Sequence, residues 1–170
     1  GTKFPSVWRR FTDDELKKFG LTWEDPPKAS EPYDDKFYSG RKTDGSLIER
    51  SLTDVKVVDG NGKEVIDHQT GKQMIELGLK SIWVAQTKET AQTKLSKYDW
   101  MITRKAEKGT AIPSNITTYR DAIRTKCASI ETSINNCSNH ADFMKLFDVP
   151  LDSEGQPTGN APIYDFPDEI

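Results

Sequence analysis

"ITTYRDAIRTKCASIETSINNC", residues 116–137, sets Ile116, Tyr119, Ile123, Cys127, Ile130 and Ile134 three or four positions apart. Recurrence at that interval lines one face of an α-helix, here about five turns long, with a narrow apolar stripe. A stripe this narrow suits a seam against another helix, in the same chain or in a second copy. Upstream, Leu79, Ile82, Trp83, Gln86, Thr90 and Leu95 recur at three to five residues, with Lys80, Lys88, Glu89 and Lys94 elsewhere around the turn, which predicts a helix over about 79–95. The two helices are expected to form an antiparallel hairpin, because residues 96–113 supply the return path.

That return path, "SKYDWMITRKAEKG" at 96–109, reads as a short helix of its own. Ser96 can cap it, Asp99 sits in its first turn, Leu95 faces Trp100 in staple geometry, and Gly109 closes it. Asp99 complements the positive end of the helix dipole, while Arg104, Lys105 and Lys108 crowd the negative end. Trp83, Trp100, Tyr119, Ile123 and Ile130 are the expected hairpin core, with Arg120 and Arg124 on the adjoining face free for acidic partners or for Glu107. A last helix, 139–147, is expected behind a Ser138 cap and brings Phe143, Met144, Leu146 and Phe147, with His140 capping or exposed near its start.

Towards the N-terminus, "DVKVVDGNGKEVID" sets Val55, Val57 and Val58 against Val65 and Ile66 across Asp59-Gly60-Asn61-Gly62, which is hairpin chemistry. A calcium loop is not supported there, because Lys63, Glu64 and Thr70 stand where further ligands and the turn glycine belong. Before it, "WEDPPKASEPYDDKFYSGRKTDGS" reads as an extended arm anchored by Trp23, Tyr33, Phe37 and Tyr38, or equally as a disordered linker. The first ordered element is "FTDDELKKFG", where Thr12 can cap, Glu15 can reach back, Phe11 can staple onto Leu16 and Gly20 can stop the helix. At the far end, "VPLDSEGQPTGNAPIYDFPDEI" joins a polar spacer to Ile163, Tyr164 and Phe166, either an anchored extended tail or a disordered one.

The expected class is therefore α+β, mainly α: a helical-hairpin or three-helix C-terminal body, a small β-hairpin, and extended N- and C-terminal arms. The expected divisions are 1–54, short helix and Pro-rich arm; 55–76, hairpin; 77–149, helical body; and 150–170, tail.

Composition narrows the function. Of 170 residues 34 % are apolar and 30 % charged, short of the roughly 45–50 % apolar content usual in globular domains, so some surface is expected to be buried against a partner. Net charge is −3 with both signs interspersed, which gives no phosphate-tracking stripe, and no apolar run approaches membrane-helix length. Nucleic acid and membrane are not expected partners. The opening "GTKFPSVWRR" has no apolar signal core, so the sequons at Asn115 and Asn136 read as chance. Motifs for a nucleophile elbow, a phosphate-cradling loop, C-x-x-C or H-E-x-x-H are missing. Cys127 and Cys137 read as reduced structural thiols and His68 as a surface residue, so neither enzyme nor cofactor is expected.

Asp99, Trp100, Arg104, Lys105, Glu107, Gly109, Ile112 and Pro113, followed by Tyr119, Arg120, Ile123 and Arg124, form a D-W-x-x-x-R-K-x-E-x-G-x-x-I-P segment ahead of Y-R-x-x-I-R. This run resembles the C-terminal region of tail-fibre-assembly-like and small tail-associated proteins of tailed bacteriophages, particularly those of marine cyanobacteria. The front, "VWRRFTDDELKKFGLTW…YDDKFYSG", is similar to the leader of the same group. The resemblance implies a non-enzymatic virion component at the tail, baseplate or fibre. Its expected partners are other tail or fibre proteins, or a second copy of itself, at the Trp23, Tyr33, Phe37, Tyr38, Arg120, Arg124, Ile163, Tyr164 and Phe166 positions. A transient fibre-assembly chaperone that leaves the particle is the alternative.

Overall fold

The computed structural model describes residues 10–21 and 32–170, in two units that divide after Pro32. In the first unit, α1 (Asp13–Lys18) is held by local chemistry. The Glu15 carboxylate accepts from the Thr12 amide at 2.8 Å and from its hydroxyl at 3.0 Å. Gly20, at φ +70°, closes the other end, with the Leu21 amide donating to the Leu16 carbonyl and the Gly20 amide to that of Lys17. Phe11 stacks on Phe19 with ring centroids 5.7 Å apart. Trp23 lies outside the described residues.

The second unit is α+β and mainly α. β1 (Tyr38–Arg41) and β2 (Leu47–Glu49) form an antiparallel hairpin with an irregularity between Tyr38 and Gly40. β3 (Val55–Lys56) pairs antiparallel with β4 (Ile75–Glu76). Then come α2 (Leu79–Ser96), α3 (Asp99–Lys108), α4 (Ser114–Asn136), α5 (His140–Lys145) and a short 3-10 turn at Pro162–Tyr164. The described part of the expected Pro-rich arm is thus folded: Phe37 is a core residue and the segment after it turns back as a hairpin. Local turn chemistry at Lys42–Ser46, with Gly45 at φ +84°, makes that reversal.

α2 and α4 run antiparallel, as three cross-links placed in opposite order show: Lys80 to the Asn135 carbonyl, Lys88 to Glu131, and Arg120 to the Leu95 carbonyl. Their shared seam buries Leu79, Trp83 and Ala91 from one side and Tyr119, Ile123, Cys127, Ile130 and Ile134 from the other. α5 covers one end with Phe143, which is fully buried. Phe37 meets Phe147 edge-on at 4.9 Å, and Phe147 meets Trp83 edge-on at 4.6 Å, so the residue before β1, the segment after α5 and α2 share one aromatic cluster. His140 is buried rather than exposed. Its Nε2–H donates to the Phe37 carbonyl at 2.9 Å, which ties α5 to the β1–β2 hairpin.

Two helix starts differ from the sequence pattern. Ser96 ends α2, its hydroxyl donating to the Thr93 carbonyl, and Tyr98 caps α3. Asn139 rather than Ser138 caps α5, its side chain accepting from the Asp142 amide at 2.9 Å. Gly109, at φ +68°, ends α3 as expected.

Trp100 is not in the core. It is 53 % exposed and lies under the Arg104 guanidinium, 4.8 Å from the ring centroid. Tyr98 takes the inner position, edge-on to Tyr119 at 5.7 Å. Two positions further along the chain, Trp100 is turned about 200° around the helix from Tyr98, so only one can face the seam. Trp83→Ala is expected to cost about 3–5 kcal/mol of unfolding free energy, whereas Trp100→Ala loses only a surface cation–π contact, about 0.5–1 kcal/mol. Chemical denaturation of the two variants checks this; equal losses would place Trp100 back in the core.

Candidate protein interface

The expected interface residues separate into those satisfied inside the fold and those left on its surface. Arg120 belongs to the first group. It is 6 % exposed, donates to the Leu95 carbonyl at 2.6 Å and pairs with Asp99 at 2.9 Å. One guanidinium therefore adds a charge-assisted bond to a carbonyl in the last turn of α2, which also accepts from the Tyr98 amide, and holds the first turn of α3. It is a clamp, not a docking residue. Arg124 is exposed and pairs with Asp121 at 2.9 Å on its own helix, not with Glu107.

The tail is likewise satisfied inside the chain. Ile163 and Phe166 are buried, and the Ile163 amide donates to the Leu146 carbonyl at 3.0 Å. Lys126 pairs with Asp165, Lys97 with Glu169 at 2.7 Å, and the Tyr98 hydroxyl donates to the Ile170 carbonyl at 2.9 Å. An acidic segment with spaced apolar anchors thus lies across the lysines of its own body. Tyr164 keeps about half its surface exposed, and Tyr33 is also exposed. Phe37 is buried, and the Tyr38 hydroxyl contacts Met144 Sδ at 3.4 Å.

The surface that carries apolar groups outward is one the sequence reading treated as a plain hairpin. Three segments, 55–58, 64–66 and 73–76, each pair antiparallel with both of the others. Val55 and Lys56 pair with Glu76 and Ile75, Val58 with Glu64, and Ile66 with Gln73. At the junction the hydrogen bonds close a ring: Val57 amide to Met74 carbonyl at 2.9 Å, Met74 amide to Val65 carbonyl at 2.8 Å, Val65 amide to Val57 carbonyl at 3.1 Å. The result is a three-armed β-plate, one arm a stem to the body and two ending in turns.

Those turns are built alike. Asp59 Oδ1 accepts from the amides of Asn61 and Lys63 at 2.8 and 2.9 Å, and Asp67 Oδ1 from those of Gln69 and Thr70 at 2.7 and 2.8 Å. The Thr70 and Gln69 amides hold the Asp67 carboxyl below the usual carboxylate range. Gly62 and Gly71, at φ +79° and +67°, take the left-handed position each turn needs. The stem is fixed to α2 by close approach: a Cβ on Gly78 would lie 2.3 Å from the Thr53 carbonyl carbon, and Asp54 accepts from the Gly78 amide at 2.8 Å.

No side chain from 53 to 77 is buried, although eight of them are Val, Ile, Met or Leu. The repeat that builds the plate is readable in retrospect: Val57-Val58-Asp59, Val65-Ile66-Asp67 and Met74-Ile75-Glu76 each give an apolar residue, a β-branched residue and an acid. The sequence reading missed Ile75 because it stopped at the first pair of runs.

Cys127 and Cys137 are buried free thiols, and burial pushes Cys127 up to about 11, so it stays protonated at neutral pH. Among the described residues no three His, Cys, Asp or Glu side chains cluster in a metal-holding arrangement, and no helix is long and apolar enough to cross a membrane.

The Lys97–Glu169 hydrogen bond lowers the Glu169 carboxyl below its ordinary value and raises Lys97 above its own. The glutamate's contribution is full above its unfolded pKa and is lost as pH falls through the lowered folded one. The lysine's is full below its unfolded pKa and is lost as pH rises through the raised folded one. Hydrogen exchange at 161–170 is therefore expected to be slowest, relative to the intrinsic rate, between those limits and to quicken in acid below about pH 4. Protection unchanged into strong acid would rule out this latch.

Comparison with protein-family models, curated proteins and solved structures finds no match.

Proposed function

We propose that this chain is a non-enzymatic structural protein associated with the tail of a tailed bacteriophage and retained in the virion, acting through protein–protein contacts. The observation that carries the contact-making role is the β-plate: a single layer with exposed valine, isoleucine, methionine and leucine and no buried side chain of its own. Two-stranded ribbons bury too little to be stable alone, and an apolar layer reaches low free energy by covering its face. Placement at a phage tail rests on the resemblance of Asp99–Arg124 to small tail-associated proteins.

The architecture fits a part that is fixed in place. A helical body, closed by its own tail, carries the plate on a stem held at Gly78 and Asp54. Arg120 and the tail anchors serve the body, so the docking role expected of them passes to the plate.

Quantitative mass spectrometry of gradient-purified particles tests the reading, with this protein counted against the major tail protein. A stoichiometric ratio is expected. Absence from particles, with abundance in the infected-cell lysate, would overturn retention and favour the transient chaperone.

A further inference from the structure

We propose that the groove holding residues 161–170 is a binding site for an extended acidic peptide with spaced apolar anchors, and that between crowded chains its occupant is the same segment of a second copy, exchanged reciprocally. The inference goes beyond the function given above and stands or falls independently of placement at a phage tail.

The groove reads its segment by apolar spacing and by charge. Ala161, Ile163 and Phe166 are buried as the anchors. Beside them the body supplies donors and the segment supplies acceptors: Lys126 to Asp165, Lys94 Nζ to the Pro167 carbonyl at 3.5 Å, Lys97 to Glu169 at 2.7 Å, and the Tyr98 hydroxyl to the Ile170 carbonyl at 2.9 Å. In the opposite sense the Ile163 amide donates to the Leu146 carbonyl. Pockets that set the spacing of two anchors, with a row of cations beside them, are what recognition of an acidic peptide requires.

The connection to that segment is longer than closure requires. The Ile163 amide lies 3.0 Å from the Leu146 carbonyl, so residues 147–162 leave the body and return to their point of departure. Phe147 packs on Trp83, but residues 148–160 are exposed throughout, and the hydrogen bonds of 149–160 close within that stretch. Asp152 Oδ1 accepts from the Glu154 and Gln156 amides at 2.9 and 2.8 Å, Gly155 takes φ +77°, and the Thr158 amide donates to the Pro150 carbonyl at 2.8 Å. A return to an adjacent point takes only a few residues. Fully extended, residues 147–162 span about 50 Å, against about 20 Å across two packed helices. The same spacer therefore closes a chain on itself or carries the segment to a neighbour.

The seat also lets its segment go. A cleft of about 250 Å³, lined in part by Thr87, Thr90 and Lys94, remains between α2 and the tail, and the Lys97–Glu169 pair is half-exposed, so it contributes little to holding on. Contacts made within one chain and between two are the same, so contact energy does not choose between them; concentration does. A short flexible spacer gives a chain's own segment an effective concentration on the order of 1 mM. Isolated chains therefore close on themselves, and chains held side by side exchange. Residues 161–170 are the ligand whose fit to this groove the structure displays, and a second copy brings both that ligand and a groove for the segment returned.

Two full-length variants test the exchange, one carrying Lys97→Glu with Lys126→Glu and the other Asp165→Lys with Glu169→Lys. These side chains are partly exposed, so both variants are expected to keep the wild-type helical content. In either variant alone like charges face each other across the groove, and hydrogen exchange at 161–170 is expected to quicken roughly tenfold while the mass from small-angle scattering stays that of one chain. Mixed at about 1 mM each, the two are expected to double in mass and regain protection at 161–170, because each groove then meets a segment of opposite charge. A mixture that keeps the single-chain mass, or doubles without regaining protection, would overturn the exchange. Protection unchanged in each variant alone would overturn recognition by charge. A second measurement does without charge reversal: Lys126→Cys in one chain and Asp165→Cys in another, mixed at the same concentration and oxidised in air. Position 126 is expected to link to position 165 between chains roughly tenfold more often than either position links to itself, since the groove seats the two side by side in contact distance. Equal yields of the three links would also overturn the exchange.

Discussion

The buried Trp83 indole is the contact on which the second unit depends. It meets Phe147 edge-on at 4.6 Å and Tyr164 at 6.1 Å, while Phe37 meets Phe147 edge-on at 4.9 Å. Four segments, the residue before β1, α2, the turn after α5 and the tail, converge on that cluster. α5 has six residues, far below the length at which a helix holds itself in water, and the tail has one 3-10 turn. Both keep their shape because aromatic edges and faces hold them, each such pair adding about 0.5–1.5 kcal/mol beyond the area it buries.

Arg120 plays a corresponding part at the other end of the hairpin. Its guanidinium reaches the Leu95 carbonyl and the Asp99 carboxylate together, so the end of α2, the start of α3 and the first third of α4 share one anchor. A planar fork with several donors can do this where a lysine ammonium cannot. The arrangement accounts for the arginine that follows Tyr119: Tyr119 packs on Tyr98, and the next residue closes the corner around it.

The helices were legible because each carries its period in consecutive residues. The bounds read for α2 and α4 differ from those found by one or two positions, and Gly109 marks the end of α3 as its chemistry requires. Spacing says which residues share a face but not what that face meets. Trp100 and Tyr98 compete for one inner position, and Arg120 is buried although charged residues are seldom so. His140 is buried for the same kind of reason, since its partner is a backbone carbonyl more than a hundred residues away, invisible to any local pattern. At the plate, turn chemistry revealed the first reversal, but closure depends on Val57 meeting Met74 across both turns. A repeat of three residues is too short to announce itself until the turns that separate its copies are aligned.

A plate with no core of its own keeps its outline through bonds that need no partner. The two turns are held by aspartates accepting from their own backbone amides, the ring by three main-chain hydrogen bonds, and the stem by the close packing of Gly78 on Thr53. Backbone interactions of this kind define shape while leaving the side chains above them uncommitted. The apolar residues are then exposed in a fixed arrangement, so covering them releases hydrophobic free energy with little ordering left to oppose it. In the tail the order is reversed: its shape comes from the groups it buries, Ile163 and Phe166, and from the lysines it meets. One chain thus contains an arm that folds by binding to its own body and a plate that is folded before anything binds.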